Sequence, residues 1–460
     1  MKKNVALLAG VIVFVLLFYK HEVALNLGLF SLVAWLALFL TTAKEYRTKT
    51  FWWLSVALFV SAAGFALYGD FICFAALFIS AALLAYKSFY PNSKVVLSPA
   101  IVLISGATSF FRVLNVPGWL SVKGGLSSDL WKKTLAYFVI PIFFLFIFLI
   151  VYVAGSSSFS SFFTFDWDLN FLQIFFLSIL GFFIMFNLLY WFSPSFITDL
   201  NKKLGDDFSP LSQSNREPSL RGFDLKFERR SGEVSLIVLN ILLVIFIITY
   251  NVEHFNNIRY QHIPLPDELY SRVFALIFSI LMAIAVVLFY FKNTFNFDPS
   301  TRLLKRLAYI WLGLNAALII SVAITNKEYI YYSGLTFKRV GIYIFLILCF
   351  VGLVFTCLKI FNKKTNIYLL SRMCWAVVIT LVVGSVINWS WLVTKYNQNY
   401  VKHADWNYLY SLNFNKQLLI DSKRSEEPAD YSGKTKKLID EERQKPFLSR
   451  NLYYQFLNID

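Results

Sequence analysis

Charged side chains are scarce in this chain. Asp, Glu, Lys and Arg make up 15% of its 460 residues, against 58% apolar and 19% aromatic. A soluble domain carries about 25% charged residues, and a chain of this size with so few could not cover a surface that faces water. Histidine and cysteine are scarce as well, at four each. Cys73, Cys349, Cys357 and Cys374 show no CxxC spacing, which excludes a sequence-encoded zinc ribbon or disulfide framework; they read as small buried apolar side chains. The apolar runs lack period-two alternation, which argues against a lipid-facing barrel.

What is present is a series of apolar runs of about 17–25 residues, long enough to cross roughly 30 Å of hydrocarbon. The fold class they predict is all-α, a polytopic transmembrane helical bundle. Eleven spans are expected, at 5–19, 23–42, 51–68, 71–86, 134–154, 170–192, 234–252, 269–291, 307–325, 340–358 and 372–392. The first run, behind Lys2 and Lys3, is like a secretory signal but lacks a small-x-small cleavage site, so it reads as a retained span.

The net charge of +16 does not point to nucleic acid, because the cations lie in short loops between spans, where they set orientation. With the N-terminus cytoplasmic, 26 cations fall inside, six outside and 11 in the C-terminal tail. For Lys94 and Lys132 to share a side, the apolar stretch 95–111, which carries Pro99 and Gly106, must be re-entrant or interfacial. The resulting organisation is a four-span bundle (1–94), a re-entrant or interfacial segment (95–133), a two-span hairpin (134–192), a cytoplasmic loop (193–233), a five-span bundle (234–392) and an extracytoplasmic amphipathic tail (393–460). The loop 193–233 reads as largely irregular, with "FDLKFE" a candidate strand. In the tail, 407–424 and 435–459 read as helices, the second broken near Pro446, with "SEEPADYSGK" a linker between them.

Three stretches in the second half resemble a family of bacterial polytopic membrane proteins, domain of unknown function four-one-seven-three. "YYSGLTFKR" is similar to its Tyr-Gly-Leu-Thr-x-x-Arg, with Ser333 inserted. "INWSWLVTKYN" is similar to its Asn-Pro-Asp…Asn, with Trp389 and Ser390 in place of Pro and Asp. "DWNYLYSL" is similar to its Asp-x-x-Tyr-Leu-x-x-Leu-Ser, with Asn413 at the final position. "LPDELYSRVFALI" resembles the family's acidic start of a span. The resemblance covers about 230–412, and family four-one-five-three stays open beside it. It implies an uncharacterised bacterial inner-membrane protein and brings no activity with it.

Lys338 and Arg339 break the charge rule by facing outward. Either they anchor a span at headgroup level beside Tyr329, Tyr331, Tyr332 and Phe337, or, with Arg259 and Tyr332, they hold an anionic lipid headgroup through the planar guanidinium fork. His254, His262 and His403 with Glu253 are metal-ligand types, but their spacing matches no known ligand pattern, and ordinary loop residues are the plainer reading. No cofactor is expected. Span centres carry no ionisable group, only amides such as Gln173, Asn187, Asn240 and Asn315. With Asn388, these either line a transport cavity or hydrogen-bond helices together. Asp166 and Asp168 in "FDWD" are the only close carboxylate pair in a short outer loop and would be needed by an enzyme acting on lipid-linked phosphate. The leading expectation is a non-enzymatic envelope binding or sensing module that uses its outer loops and tail, with membrane lipids or an envelope protein as partner. A transporter or lipid flippase is second and an enzyme third.

Overall fold

The computed structural model describes residues 3–115, 170–209, 224–259, 266–291, 294–401, 404–421 and 429–457, with a few isolated positions between 116 and 169. Every regular element among the described residues is helical. Eight helices are long and apolar enough to cross a membrane, and three shorter apolar helices accompany them. This is an all-α polytopic helical bundle, and its composition and span lengths make it a membrane protein.

Two cores organise it. The first joins α1 (Lys3–Phe18), α2 (Leu25–Thr41), α3 (Lys49–Tyr68), α4 (Phe71–Phe89) and α6 (Phe171–Leu189). It is built on fully buried Leu7, Leu38, Phe51, Leu58 and Phe186. The second joins α8 (Leu225–Arg259), α9 (Pro266–Tyr290), α10 (Arg302–Ser333) and α11 (Phe337–Phe361) around Ile280, Val287, Leu318 and Val322. The bridge is α12 (Asn366–Gly384), which packs on α11 on one side and on α3 and α4 on the other. Small residues let it approach closely: a Cβ on Gly64 of α3 would overlap the Ser385 carbonyl oxygen, and Cys73 Sγ of α4 donates to that same oxygen at 3.0 Å. Without a hydrophobic drive between helices in lipid, such close backbone contact is what holds spans together.

Helix ends fall on two faces. On one, Asn4 meets Tyr190, Lys94 N and Nζ reach Asn201 and Asp206, and Thr365 N donates to Asp206 O. On the other, the α1–α2 and α3–α4 connections meet the C-terminal tail. We call these the Lys94 face and the tail face.

α5 (Ser98–Leu114) is long enough, with the turn before it, to span. Ile101 and Ile104 cluster with Trp191, Ile197 and Leu204, and Arg112 at its C-terminal end donates to Tyr190 O.

Four expectations need correction. "FDLKFE" is not a strand: Leu225 opens α8, so its alternating apolar residues belong to the first turn of a 35-residue helix. The loop around it is not irregular where described, since Ser195–Lys203 forms α7 behind Pro194. The last span ends earlier than 392. Gly384 closes α12, the chain breaks at 385–388, and Asn388 caps a new helix, α13 (Trp389–Tyr400). The expected linker also starts a helix: Ala429–Gln444 is α16, which stops before Pro446. Before it, the tail folds into two short helices, α14 (Trp406–Ser411) and α15 (Lys416–Asp421). The proposed span 134–154 lies largely outside the described residues.

Candidate functional site

The stretch 333–339 is a tight helix break. α10 ends at Ser333, and Gly334 follows at φ +78°, in the left-handed region where a side chain is strained. Thr336 then caps α11 by accepting from Arg339 N. Asn397 of α13 clamps the break from outside. Its Oδ1 accepts from Leu335 N at 2.6 Å, and its Nδ2 donates to Leu335 O at 2.8 Å. A Cβ on Gly334 would stand 2.7 Å from that Oδ1, so glycine is required twice over.

The tail closes on the same place. Tyr408 Oη accepts from Phe337 N at 2.9 Å, and Asp405 caps α14. Asn388 accepts from Trp391 N and donates to Phe414 O at 2.8 Å. The three stretches that resemble family landmarks therefore meet, although more than 70 residues separate Phe337 from Tyr408. Leu335, Val393, Leu409 and Leu412 form a small core beneath them.

The tail also reaches the first bundle. Phe414 packs its ring on Tyr68 (5.3 Å between centroids) and on Tyr453 (5.4 Å). Ser449 Oγ accepts from Glu22 N at 2.9 Å, and Lys445 bridges Glu22 and Glu442 at 3.0 and 2.7 Å. Gly69, at φ +63°, sits under Asn451.

Between these contacts lies a crevice of ≈ 290 Å³. One wall is the α3–α4 turn, with Tyr68, Asp70 and Ile72; the opposite wall is the first two turns of α11, with Val340, Gly341 and Ile344. The break at 387–390 forms its back and 411–414 its rim. A Cβ at Gly341 would meet nothing within 4 Å, so this face of α11 looks into open space. Asp70, the acid of the lining, is occupied in capping α4 through Cys73 N at 2.8 Å. Among the described residues no Lys, Arg or His lines the crevice. The arrangement offers apolar walls with amide and hydroxyl groups at the rim, which suits an apolar or amphiphilic group rather than a charged one.

The cation pair Lys338 and Arg339 divides. Lys338 is exposed and Arg339 is buried at 4%. Arg339 Nη1 donates to Ser333 O at 2.9 Å and to Gly334 O. It thereby holds the last carbonyls of α10, where the helix dipole is negative. The same device recurs on the Lys94 face. Arg47 holds Phe39 O and Thr42 O, Lys87 holds Pro91 O and Ser93 O, Arg112 holds Tyr190 O, and fully buried Lys359 holds Phe291 O at 2.6 Å. Five cations thus satisfy carbonyls at or just beyond helix C-termini.

The four amides are not brought into one cavity. Asn187 donates to Phe183 O and Asn315 to Trp311 O, each within its own helix. Asn240 donates to Leu236 O and, across to α10, to Leu307 O at 3.2 Å. Asn388 alone lines the crevice. Among the described residues no cluster of His, Cys, Asp and Glu could hold a metal. Glu253 is exposed. His262, His403, Asp166 and Asp168, and the side chains of His254 and Arg259, lie outside the described residues. Tyr332 is exposed and packs on Tyr331. Sequence reasoning missed Asn397, Tyr408 and Gly341. Asn397 and Tyr408 stood inside the quoted stretches, but only contact across the fold reveals what they hold.

Buried ionisable groups make tail docking pH-dependent. Burial pulls Lys416, 3% exposed and donating to Tyr410 O at 2.9 Å, down to about 8 from an ordinary 10.5. Burial pushes the Tyr453 phenol up to about 12 from 10.0 and raises Tyr454 as well. Between pH 8 and 10 the undocked tail binds a Lys416 proton that the docked tail has released, so docking strengthens as pH rises. Above pH 10 the tyrosines ionise in the undocked tail first, and docking weakens. Protease sensitivity of the tail is therefore expected to pass through a minimum near pH 10. A steady rise in sensitivity from pH 7 upward would contradict this.

A family model described as "Domain of unknown function (DUF4153)" matches residues 5–422. The match is to family four-one-five-three and not to four-one-seven-three, which the motifs resembled first, and it takes in the first bundle as well as the second. No curated protein and no solved structure matches the chain.

Proposed function

The chain belongs to the DUF4153 family of unknown-function domains, and from that premise we propose that it is a non-enzymatic binding module of a bacterial inner membrane. Its N-terminus is cytoplasmic and its tail face extracytoplasmic. The tail roofs the crevice between the two bundles, and the crevice takes an acyl chain of a membrane lipid. The observation that supports this most is the convergence of 333–339, 388–397 and 405–414 on one largely apolar crevice whose single acid, Asp70, is engaged as a helix cap. The crevice lies beside helices that stand in lipid, so acyl chains are the apolar species at hand. Binding would be read out through the tail, which contacts both bundles and can report a change between them.

Two measurements test this. In a chain without its native cysteines, Lys437→Cys on exposed α16 is expected to react with a membrane-impermeant thiol reagent on intact cells. Protection until lysis would place the tail face in the cytoplasm and sink the orientation. In purified protein, a phosphatidylglycerol with a diazirine at its acyl terminus is expected to crosslink within 337–344. Gly341→Trp, which fills the open space, should reduce that crosslink about 10-fold, the scale of roughly 1.4 kcal/mol. Equal crosslinking in wild type and variant would remove the crevice from the proposal.

A further inference from the structure

A second pocket lies on the opposite, Lys94 face and has a different chemistry. It encloses ≈ 240 Å³ between the end of α4, the turn at 91–93, α5 and α7. Its walls are flat aromatic rings, Tyr46, Phe89 and Tyr90, and its floor is Leu97, Ile101 and Ile197. Among the described residues its polar groups are all neutral, including the Tyr86 hydroxyl, Asn92, Ser93, Ser193, Thr198 and Asn201.

The nearby cations are already engaged. Lys87 is turned to the carbonyls of Pro91 and Ser93, and Lys94 is paired with Asp206 at 2.7 Å. A charged ligand would therefore find no counter-ion in the lining.

Tyr86 is the telling residue. It is 0% exposed, it lines the pocket, and its hydroxyl has no hydrogen-bond partner among the described residues. The Ser93 hydroxyl, which donates to Tyr90 O at 2.6 Å, interacts with it without meeting full hydrogen-bond geometry. A buried hydroxyl left unpaired is costly, and native proteins rarely keep one without a role. Asn201 is held in place by Lys94 N, which donates to its Oδ1 at 2.9 Å, leaving its amide nitrogen for a ligand.

We propose that this pocket binds the neutral, polyhydroxylated ring of a sugar, stacked against the aromatic walls and hydrogen-bonded to Tyr86. The volume is below that of typical drug-sized pockets and suits a single ring. The apolar faces of such a ring pack on aromatics while its rim hydroxyls meet neutral donors and acceptors. The pocket opens where helices end, so the ring reaches it either as a free sugar or as the headgroup of a glycolipid.

The test uses the full chain in phosphatidylcholine nanodiscs, with methyl glucoside as the free probe and monoglucosyl-diacylglycerol as the lipid probe. Saturable binding of methyl glucoside identifies the free sugar. Binding of the glycolipid alone identifies the headgroup. Tyr86→Phe is expected to weaken binding about 10-fold, the worth of one hydrogen bond. The same variant without ligand is expected to melt at the wild-type temperature or above, since it removes an unpaired buried group. Failure of both probes to bind overturns the proposal, as does undiminished binding by Tyr86→Phe. So does a lower melting temperature for that variant, which would show that the hydroxyl already has a protein partner.

Discussion

Gly64→Ala is expected to separate the two halves of the molecule. A Cβ there would overlap the carbonyl oxygen of Ser385 and stand 2.9 Å from its carbon. Both are backbone atoms at the end of α12, so no side chain can turn aside. Over-packing of this kind costs about 1–3 kcal/mol, and Gly64→Val should cost more because a branched side chain cannot rotate clear. The contact matters beyond its size. α12 is the helix that touches both bundles, and Cys73 Sγ is buried against the same Ser385 carbonyl. In a chain that keeps only Cys73, a thiol-reactive dye should report unfolding several degrees earlier in Gly64→Ala. Gly313→Ala is the control. It sits within α10 with nothing within 4 Å of its would-be Cβ, and alanine should stabilise the helix by up to about 1 kcal/mol. Equal melting of Gly64→Ala and wild type would mean that α12 moves freely, and the bridging role would be lost.

Arg339→Met is expected to destabilise the protein by on the order of 3 kcal/mol, because it strips a charged donor from the part-buried carbonyl of Ser333 and the buried one of Gly334. Lys338→Met, one residue earlier on the exposed side, should leave the melting temperature where it is. Arg339→Lys should recover part of the loss, since an ammonium can reach one carbonyl but lacks the fork that serves two. The pair thus separates a structural cation from a headgroup anchor. Were both cations ligands for an anionic headgroup, each methionine variant would lower binding to phosphatidylglycerol vesicles and neither would alter melting. The expected pattern is a stability loss confined to Arg339. Asn397 sits in the same clamp and is 3% exposed, so part of the loss should pass through it to the tail.

The sequence carried the solvent and the secondary structure. Ten of the eleven expected spans coincide with described helices, because partition into lipid adds up over a local run of residues and needs no knowledge of neighbours. Charge placement gave only an expectation of parity. Counting cations required that 95–111 not cross, yet Val95–Leu114 is long and apolar enough to span, so its crossing is untested. Local pattern misled where it competed with tertiary packing. "FDLKFE" alternates like a strand yet continues into α8. "INWSW" continues an apolar run yet breaks it, because Asn388 finds a cap to make and Phe414 O to hold.

The candidate site was not legible in the same way. The quoted stretches contained Arg339, Asn397 and Tyr408, but nothing in their order shows that Asn397 clamps Leu335 or that Tyr408 holds Phe337. Nor does a lone tyrosine in an apolar run disclose that its hydroxyl ends unpaired beside a pocket. What the sequence by itself determined is that this chain is a helical bundle in lipid, with its basic residues gathered at helix ends. Which ends meet, which cations are consumed in capping, and where two bundles leave a crevice under the tail were decided only by tertiary structure. The reason is physical: an apolar side chain facing lipid and one facing another helix have the same chemistry, so composition fixes the medium and leaves the partners open.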